Sequence, residues 1–457
     1  MLETIRNAWR VPELRKKLIF TLIIVFIFRL GCHLPVPFVN IAALQSVINA
    51  DSSSFMGYLS IFTGGALQYG AIFAMSVTPY INASIIIQLL TVAIPALERL
   101  QKEGEEGRKR LAAITRVVTI CLGLIQGGAF YFYLRKSTDS SGNPLLTVNK
   151  IAGLPISGLF AEIFVAVVII VCFTAGSALM MWLGEQIDKV GVGNGISILL
   201  FAGIISRGPT AFQYLYNYAA EGKGFAVFGI VVVFVVAFVA IVWMTGAERR
   251  IPVQYAKRVV GRKMYGGQSS HIPIKVNMSG VMPIIFASSI LLIPSMILGF
   301  IRPALPSTGA TAAQTAAAIQ AENGIFYRLF SLLGYKSALY AVLLFLFIIG
   351  FAYFYVTIQY NPVEMANNLR KNSGAIPGIR PGKPTSDFIS KILSKITLLG
   401  ALFLGVVAVL PTIVGALAQI SIGLGGTTIL IIVGVALDTV TKLESQMLMR
   451  HYKGFLD

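Results

Sequence analysis

Residues 71–90 read AIFAMSVTPYINASIIIQLL, twenty residues without one charged side chain. That length suits a crossing of a hydrocarbon core roughly 30 Å thick. The stretch is not uniformly apolar, because Ser76, Thr78, Asn82, Ser84 and Gln88 give it uncharged polarity. Such groups hold helices together inside a membrane bundle. Ile81 and Ile85 are four apart and share one helix face, whereas Asn82 and Gln88 fall on others. A face of this kind can project apolar side chains into a cavity near mid-depth. Ile196 and Leu200 repeat the spacing further along. Taken alone, isoleucines in a membrane helix are more simply lipid-facing or core.

The rest of the chain has the same character. Of its 457 residues 56% are hydrophobic and 12% charged, with a mean hydropathy of +0.78. A soluble domain is roughly 25% charged, so lipid is the expected solvent. Ten spans are predicted, at about 18–34, 76–97, 112–134, 158–183, 196–215, 225–245, 277–301, 338–359, 396–416 and 426–441. Backbone polar groups cannot stay unpaired in lipid, so all must be helices. The fold class is an all-α polytopic membrane protein. Five basic residues precede the first apolar run, LIFTLIIVFIFRL, and no small-residue cleavage site follows it. It reads as a retained span and not as a removed signal peptide.

An even number of spans puts both termini on one side, and the basic residues choose it. The net charge is +18, and 27 of the 37 Lys and Arg fall on the side of the termini against eight in the opposite loops. The positive-inside rule then makes both termini cytoplasmic. No separable basic soluble face exists, so nucleic-acid binding does not follow from the charge. Two loops on the basic side, at 246–275 and 360–392, are long and turn-rich. Length of this kind is usually functional, and their charge suits an acidic partner.

The stretch GYLSIFTGGALQYGAIFAM (57–75) is apolar but broken by glycine. Each Gly costs roughly 1 kcal/mol in a helix interior. Irregular backbone at membrane depth must be shielded by protein or line a cavity. It is either a re-entrant plug or an interfacial segment. The Ala- and Thr-rich stretch from Ser307 reads as an external loop, longer than expected near 303–324 and with no assignable role.

Chemistry-bearing residues are sparse. Cys32, Cys121 and Cys172 lie in or beside apolar runs without metal-ligand spacing. His33, His271 and His451 sit at span edges, in loops or in the tail. No HExxH, GxSxG or Walker loop occurs. No catalytic site, cofactor or metal is expected. Few ionisable residues fall in the spans, and Glu162, Asp438 and Arg29 lie near span ends. A coupled transporter places carboxylates near the midplane. Three classes therefore remain: a passive channel, an inverted-repeat secondary transporter of a small solute, and an intramembrane enzyme.

Six stretches narrow the choice. AIFAMSVTPYINASIIIQLL with the following KEGEEGRKR, GNGISILLFAGI (193–204), RRIPVQYAKR, HIPIKVNMSGVMPIIFASSI, NPVEMANNLRKNSGAIPGIRPGKPT and GGTTILIIVGVALDTV occur in one order along the chain. Together they resemble the SecY family of protein-conducting channels. The resemblance implies two pseudo-symmetric five-helix halves, 1–215 and 216–457, closing like a clamshell. It implies an apolar pore ring at Ile81, Ile85, Ile196, Leu200, Ile285 and Ile431. It implies a plug over about 62–75, carrying Phe62, Gly64, Gly65, Leu67, Ile72 and Phe73. It also implies a lateral gate between the second and seventh spans. Ribosome and motor contacts would fall on Arg250, Lys257, Arg262 and Arg380. The implied function is the central channel of the general secretory translocase in a bacterial inner membrane. Its implied partners are SecE, SecG, the SecA motor ATPase, the ribosome, signal peptides, unfolded preproteins and membrane lipids. Two departures stand out: Leu200 replaces a usual isoleucine, and Ala71 and Ser76 replace Ser and Gly. Without Gly at 76, the bend between plug and helix must be made differently.

Overall fold

The computed structural model describes residues 2–50, 60, 63–137, 143–146, 159–255, 258–260, 263–265, 269–301, 337–418 and 426–453. The external loop near 303–324 lies outside these residues. Helices occur at all ten predicted spans: Pro12–Gly31, Thr78–Ala93, Glu105–Lys136, Leu159–Val190, Gly195–Ile205 continued by Gly208–Tyr218, Gly224–Gly246, Met282–Ile301, Ala338–Gln359, Lys383–Ala418 and Gly426–Lys453. Eight helical stretches among the described residues are long and apolar enough to cross a membrane. The first span misses that standard because Arg15, Lys16, Lys17 and Arg29 load its ends. In the seventh, a shorter apolar stretch, Met282–Leu291, stands out.

Several boundaries differ from expectation for local reasons. The second span stops at Ala93, because Pro95 forces Ile94 into an extended conformation (φ −109°, ψ 113°). The chain resumes as a separate helix, Pro95–Lys102. The third and fourth spans are each 32 residues long and run past the apolar core. They pack through Gly123 and Gly127 against Thr174 and Ser177, the close approach that small residues allow in lipid. Ion pairs hold this helix pair near both ends. Arg116 meets Glu185 through two bonds of 2.7 Å, and Arg135 meets Glu162 at 2.7 Å. Within the spans Thr91, Thr115, Thr119 and Thr174 donate to the carbonyl four residues back. Their hydroxyls therefore need no water.

The two long basic-side loops, expected as separate features, form one folded unit. Strand β1 (Glu248–Tyr255) pairs antiparallel with β4 (Ser269–Lys275), Ile251 facing Ile272. Its other edge pairs with β5 (Gly374–Ala375), Gln254 facing Ala375. Between them β2 (Arg258–Val260) and β3 (Lys263–Tyr265) make a second small pair. Alternation along β1 buries Ile251 and Val253 and exposes Arg250, Pro252 and Gln254. The buried face packs with Ile274, Leu369, Ile376, Ile389 and Leu393. The ninth span therefore starts well before its apolar run, because its first turns cover this sheet.

Candidate functional site

The site is a single apolar cluster fed by both halves of the chain. Ile24 and Phe28 come from the first span, Ile81 and Ile85 from the second, and Met180, Leu183 and Ile187 from the fourth. Leu199, Leu200 and Ile204 come from the fifth, Ile285 and Phe286 from the seventh, and Ile431 and Val435 from the tenth. Of the six predicted ring residues, Ile81, Ile85, Leu200, Ile285 and Ile431 are buried within it. Ile196 is half-buried and packs against it. Gln88 does not fall on another face as expected: seven residues from Ile81 and three from Ile85, it lies along their side of the second span, where its Nε2 donates to Ser84 Oγ at 3.4 Å.

Local chemistry aims each contributor. Before the fifth span Gly193 takes the left-handed region (φ 91°). Asn194 then caps the helix, its side chain accepting from the Ser197 N–H at 3.1 Å. Asp188 Oδ1 accepts from the Gly195 N–H at 2.8 Å. A Cβ at 195 would strike the Gly184 carbonyl, so the GNG sequence lets the fifth span start tight against the fourth. That fixes where Ile196 and Leu200 point. Spacing also held a signal for residues not singled out. Val281 with Ile285, and Ile431 with Val435, repeat the i, i+4 spacing of Ile81 and Ile85.

The segment 63–75 closes one side of the cluster. Ala66, Ala71 and Phe73 belong to it, while Leu67 packs into a neighbouring cluster with Leu44, Phe130 and Phe173. Ile72 touches both. Gly64 and Gly65 both have positive φ, 64° and 88°. Phe62 lies outside the described residues. The segment is bound edge-on to the chain after the first span: Val36 N donates to Gly70 O at 2.8 Å and Ile72 N to Leu34 O at 2.9 Å. Most residues of 63–75 are buried against these neighbours, with Tyr69 exposed. A short 3₁₀ turn, Ile72–Met75, leads into the second span through Ser76. Ser76 is buried at φ 50°, ψ −141°, a conformation in which glycine is the default. The bend is therefore made by strain at this serine.

Arg250 and Arg380 are exposed on the basic-side unit. Arg250 Nε pairs with Glu248 Oε1 at 2.6 Å, and the Arg380 carbonyl accepts from Thr385 Oγ1 at 2.9 Å. Lys257 and Arg262 lie outside the described residues. Among the described residues no group of His, Cys, Asp or Glu could hold a metal. The buried polar side chains there are Ser, Thr and Gln126, with no Asp, Glu, Lys, Arg or His.

Comparison with known proteins agrees with the geometry. The family model described as SecY matches residues 71–440. The chain is 43% identical over 463 residues to a protein translocase subunit SecY from Streptomyces scabiei, covering 100% of each. Its fold is that of a solved SecY whose plug domain stabilises the closed state of the translocation channel and maintains a membrane seal (TM-score 0.59, 16% identity, 97% of each chain). It also resembles Sec61 in the canine ribosome–channel complex from the endoplasmic reticulum (TM-score 0.52, 15% identity, 97% of each chain).

Proposed function

The chain belongs to the SecY family, and from that premise we propose that it is the central protein-conducting channel of the general secretory translocase. It passes unfolded polypeptides across a bacterial inner membrane and releases transmembrane segments sideways into lipid. One observation carries the reading. Apolar side chains from six spans and from segment 63–75 meet in one cluster, with members from Ile24 to Val435.

A narrow apolar collar dewets, so ions face a barrier even without a solid wall. Ile81, Ile85, Ile196, Leu200, Ile285 and Ile431 form this collar. An extended polymer slides through because isoleucine and leucine offer it no hydrogen bond to hold. Segment 62–75 is the plug on the external side. The second and seventh spans, which contribute Ile81, Ile85 and Ile285 to this cluster, form the lateral gate. A sufficiently hydrophobic signal peptide leaves there for lipid.

Energy comes from outside the chain, which on this reading has no catalytic site of its own. The basic unit carrying Arg250, Lys257, Arg262 and Arg380 receives the SecA motor or the ribosome. Arginine suits their carboxylates and phosphates through its planar fork. SecE and SecG complete the complex. Both termini face the cytoplasm, as the 27-to-8 division of Lys and Arg supports. A small-solute transporter would use buried carboxylates, and the buried polar side chains described are Ser, Thr and Gln126.

A precursor stalled in transit and carrying a photo-crosslinker tests the reading. Adducts are expected at Ile81, Ile85, Ile285 and Ile431. Adducts confined to outward-facing residues such as Phe225 and Trp243, 91% and 77% exposed, would overturn it.

A further inference from the structure

Two arginines that the channel reading leaves unused converge on the plug. Arg29, near the end of the first span, sends Nη1 to the Gly64 carbonyl and to Ser206 Oγ, both at 2.9 Å. Ser206 in turn donates to the Gly203 carbonyl at 2.6 Å. Next to it Arg207 Nη1 donates to Gln68 Oε1 at 2.7 Å. The turn that receives these bonds is shaped for close approach. Gly64 sits at φ 64°, and a Cβ there would lie 2.9 Å from the Gly203 Cα. The first span, the break within the fifth span and the plug turn thus meet at one point.

The acceptors are a backbone carbonyl, a hydroxyl and an amide, so each bond is charge-assisted without being an ion pair. Such bonds are stronger than neutral ones. They leave no buried carboxylate behind when they break. A cation against neutral acceptors is the chemistry of a fastening that must also open.

We propose that Arg29 and Arg207 are positioning residues of the seal. They latch segment 63–70 across the external side of the apolar cluster, and the plug leaves only when both sets of bonds break. This rests on the reading of 62–75 as a plug. It adds the groups that set how firmly the plug is held.

The test uses the full chain in proteoliposomes, with Cys32, Cys121 and Cys172 replaced by alanine. Ala66→Cys is the reporter, since Ala66 is 0% exposed, and a water-soluble maleimide is the probe. Arg29→Ala and Arg207→Ala should each raise labelling of the resting channel about tenfold, which corresponds to about 1.4 kcal/mol of opening free energy. Arg29→Lys, keeping a charged donor, should raise it much less. Gln68→Leu removes the acceptor of the Arg207 bond from a half-exposed position and should reproduce Arg207→Ala. The latch is overturned if none of these variants changes labelling while a bound synthetic signal peptide raises it in the parent; the plug reading then survives. If the signal peptide together with the driving partner leaves Ala66→Cys unlabelled, the plug reading fails and the latch with it.

Discussion

Val281 lies against the bare Cα of Gly434, and a Cβ at 434 would overlap the Val281 side chain. The contact joins the start of the seventh span to the tenth. It sits four residues from Ile285 and three from Ile431, so it sets how closely those two side chains approach. Gly434→Val should force the spans apart and destabilise the bundle by about 1–3 kcal/mol, the usual cost of overpacking. The check is the thermal midpoint of the purified chain in detergent. Gly350→Ala is the control. That glycine has open space around it and should gain up to about 1 kcal/mol from helix propensity. Equal responses at the two positions would contradict the packing argument.

Ser76 gives the opposite sign. Its φ of 50° with ψ of −141° costs of order 1–3 kcal/mol for a residue with a Cβ. Ser76→Gly should therefore raise the thermal midpoint despite the greater freedom of the unfolded chain, and Ser76→Ala should not. A fall on Ser76→Gly would mean that the serine side chain contributes more than the strain removes.

Arg116 and Glu185 join the third and fourth spans through two bonds of 2.7 Å. Their side chains are 44% and 16% exposed, so water screens the pair only in part. A double-mutant cycle with Arg116→Ala and Glu185→Gln should give a coupling of about 1 kcal/mol, at the upper end for accessible pairs. A coupling near zero would show that this ion pair adds nothing to the glycine and threonine packing between these helices.

Arg380 is exposed and engages the fold through its main-chain carbonyl. Arg380→Glu should leave stability within about 0.5 kcal/mol, as surface changes do. Motor-driven secretion should fall about tenfold or more, because reversing a charge at a contact sets like against like. Normal secretion by the reconstituted system would remove Arg380 from the contact surface.

Much of this was legible along the chain, and the reasons it stopped are physical. Ile81 with Ile85, and Ile196 with Leu200, announce a shared face because helix periodicity is a local property. The end of the second span was equally local: Pro95 stood in plain view, and apolar length alone overran it. The early start of the ninth span was missed because KPTSDFISKILSKI is not uniformly apolar. It is amphipathic, with Ile389, Leu393 and Ile396 on one side, and a period near 3.6 would have found it. Joining the two long loops was out of reach, since Gly374–Ala375 reads as a turn and its partners Gln254 and Tyr255 lie far away in sequence. Arg29 was unreadable for the same reason. A lone arginine at a span end looks solvated until a glycine carbonyl 35 residues on is folded against it.

The central claim is that apolar side chains from both halves keep the resting membrane sealed. Ion conductance of the reconstituted chain in a planar bilayer, without partner or precursor, measures this directly. Ile85→Gly with Ile285→Gly removes two buried side chains of one cluster, from the second and seventh spans. Closed-state conductance should then rise at least about tenfold as the widened, wetted gap admits ions. A double variant as tight as the parent would contradict the account.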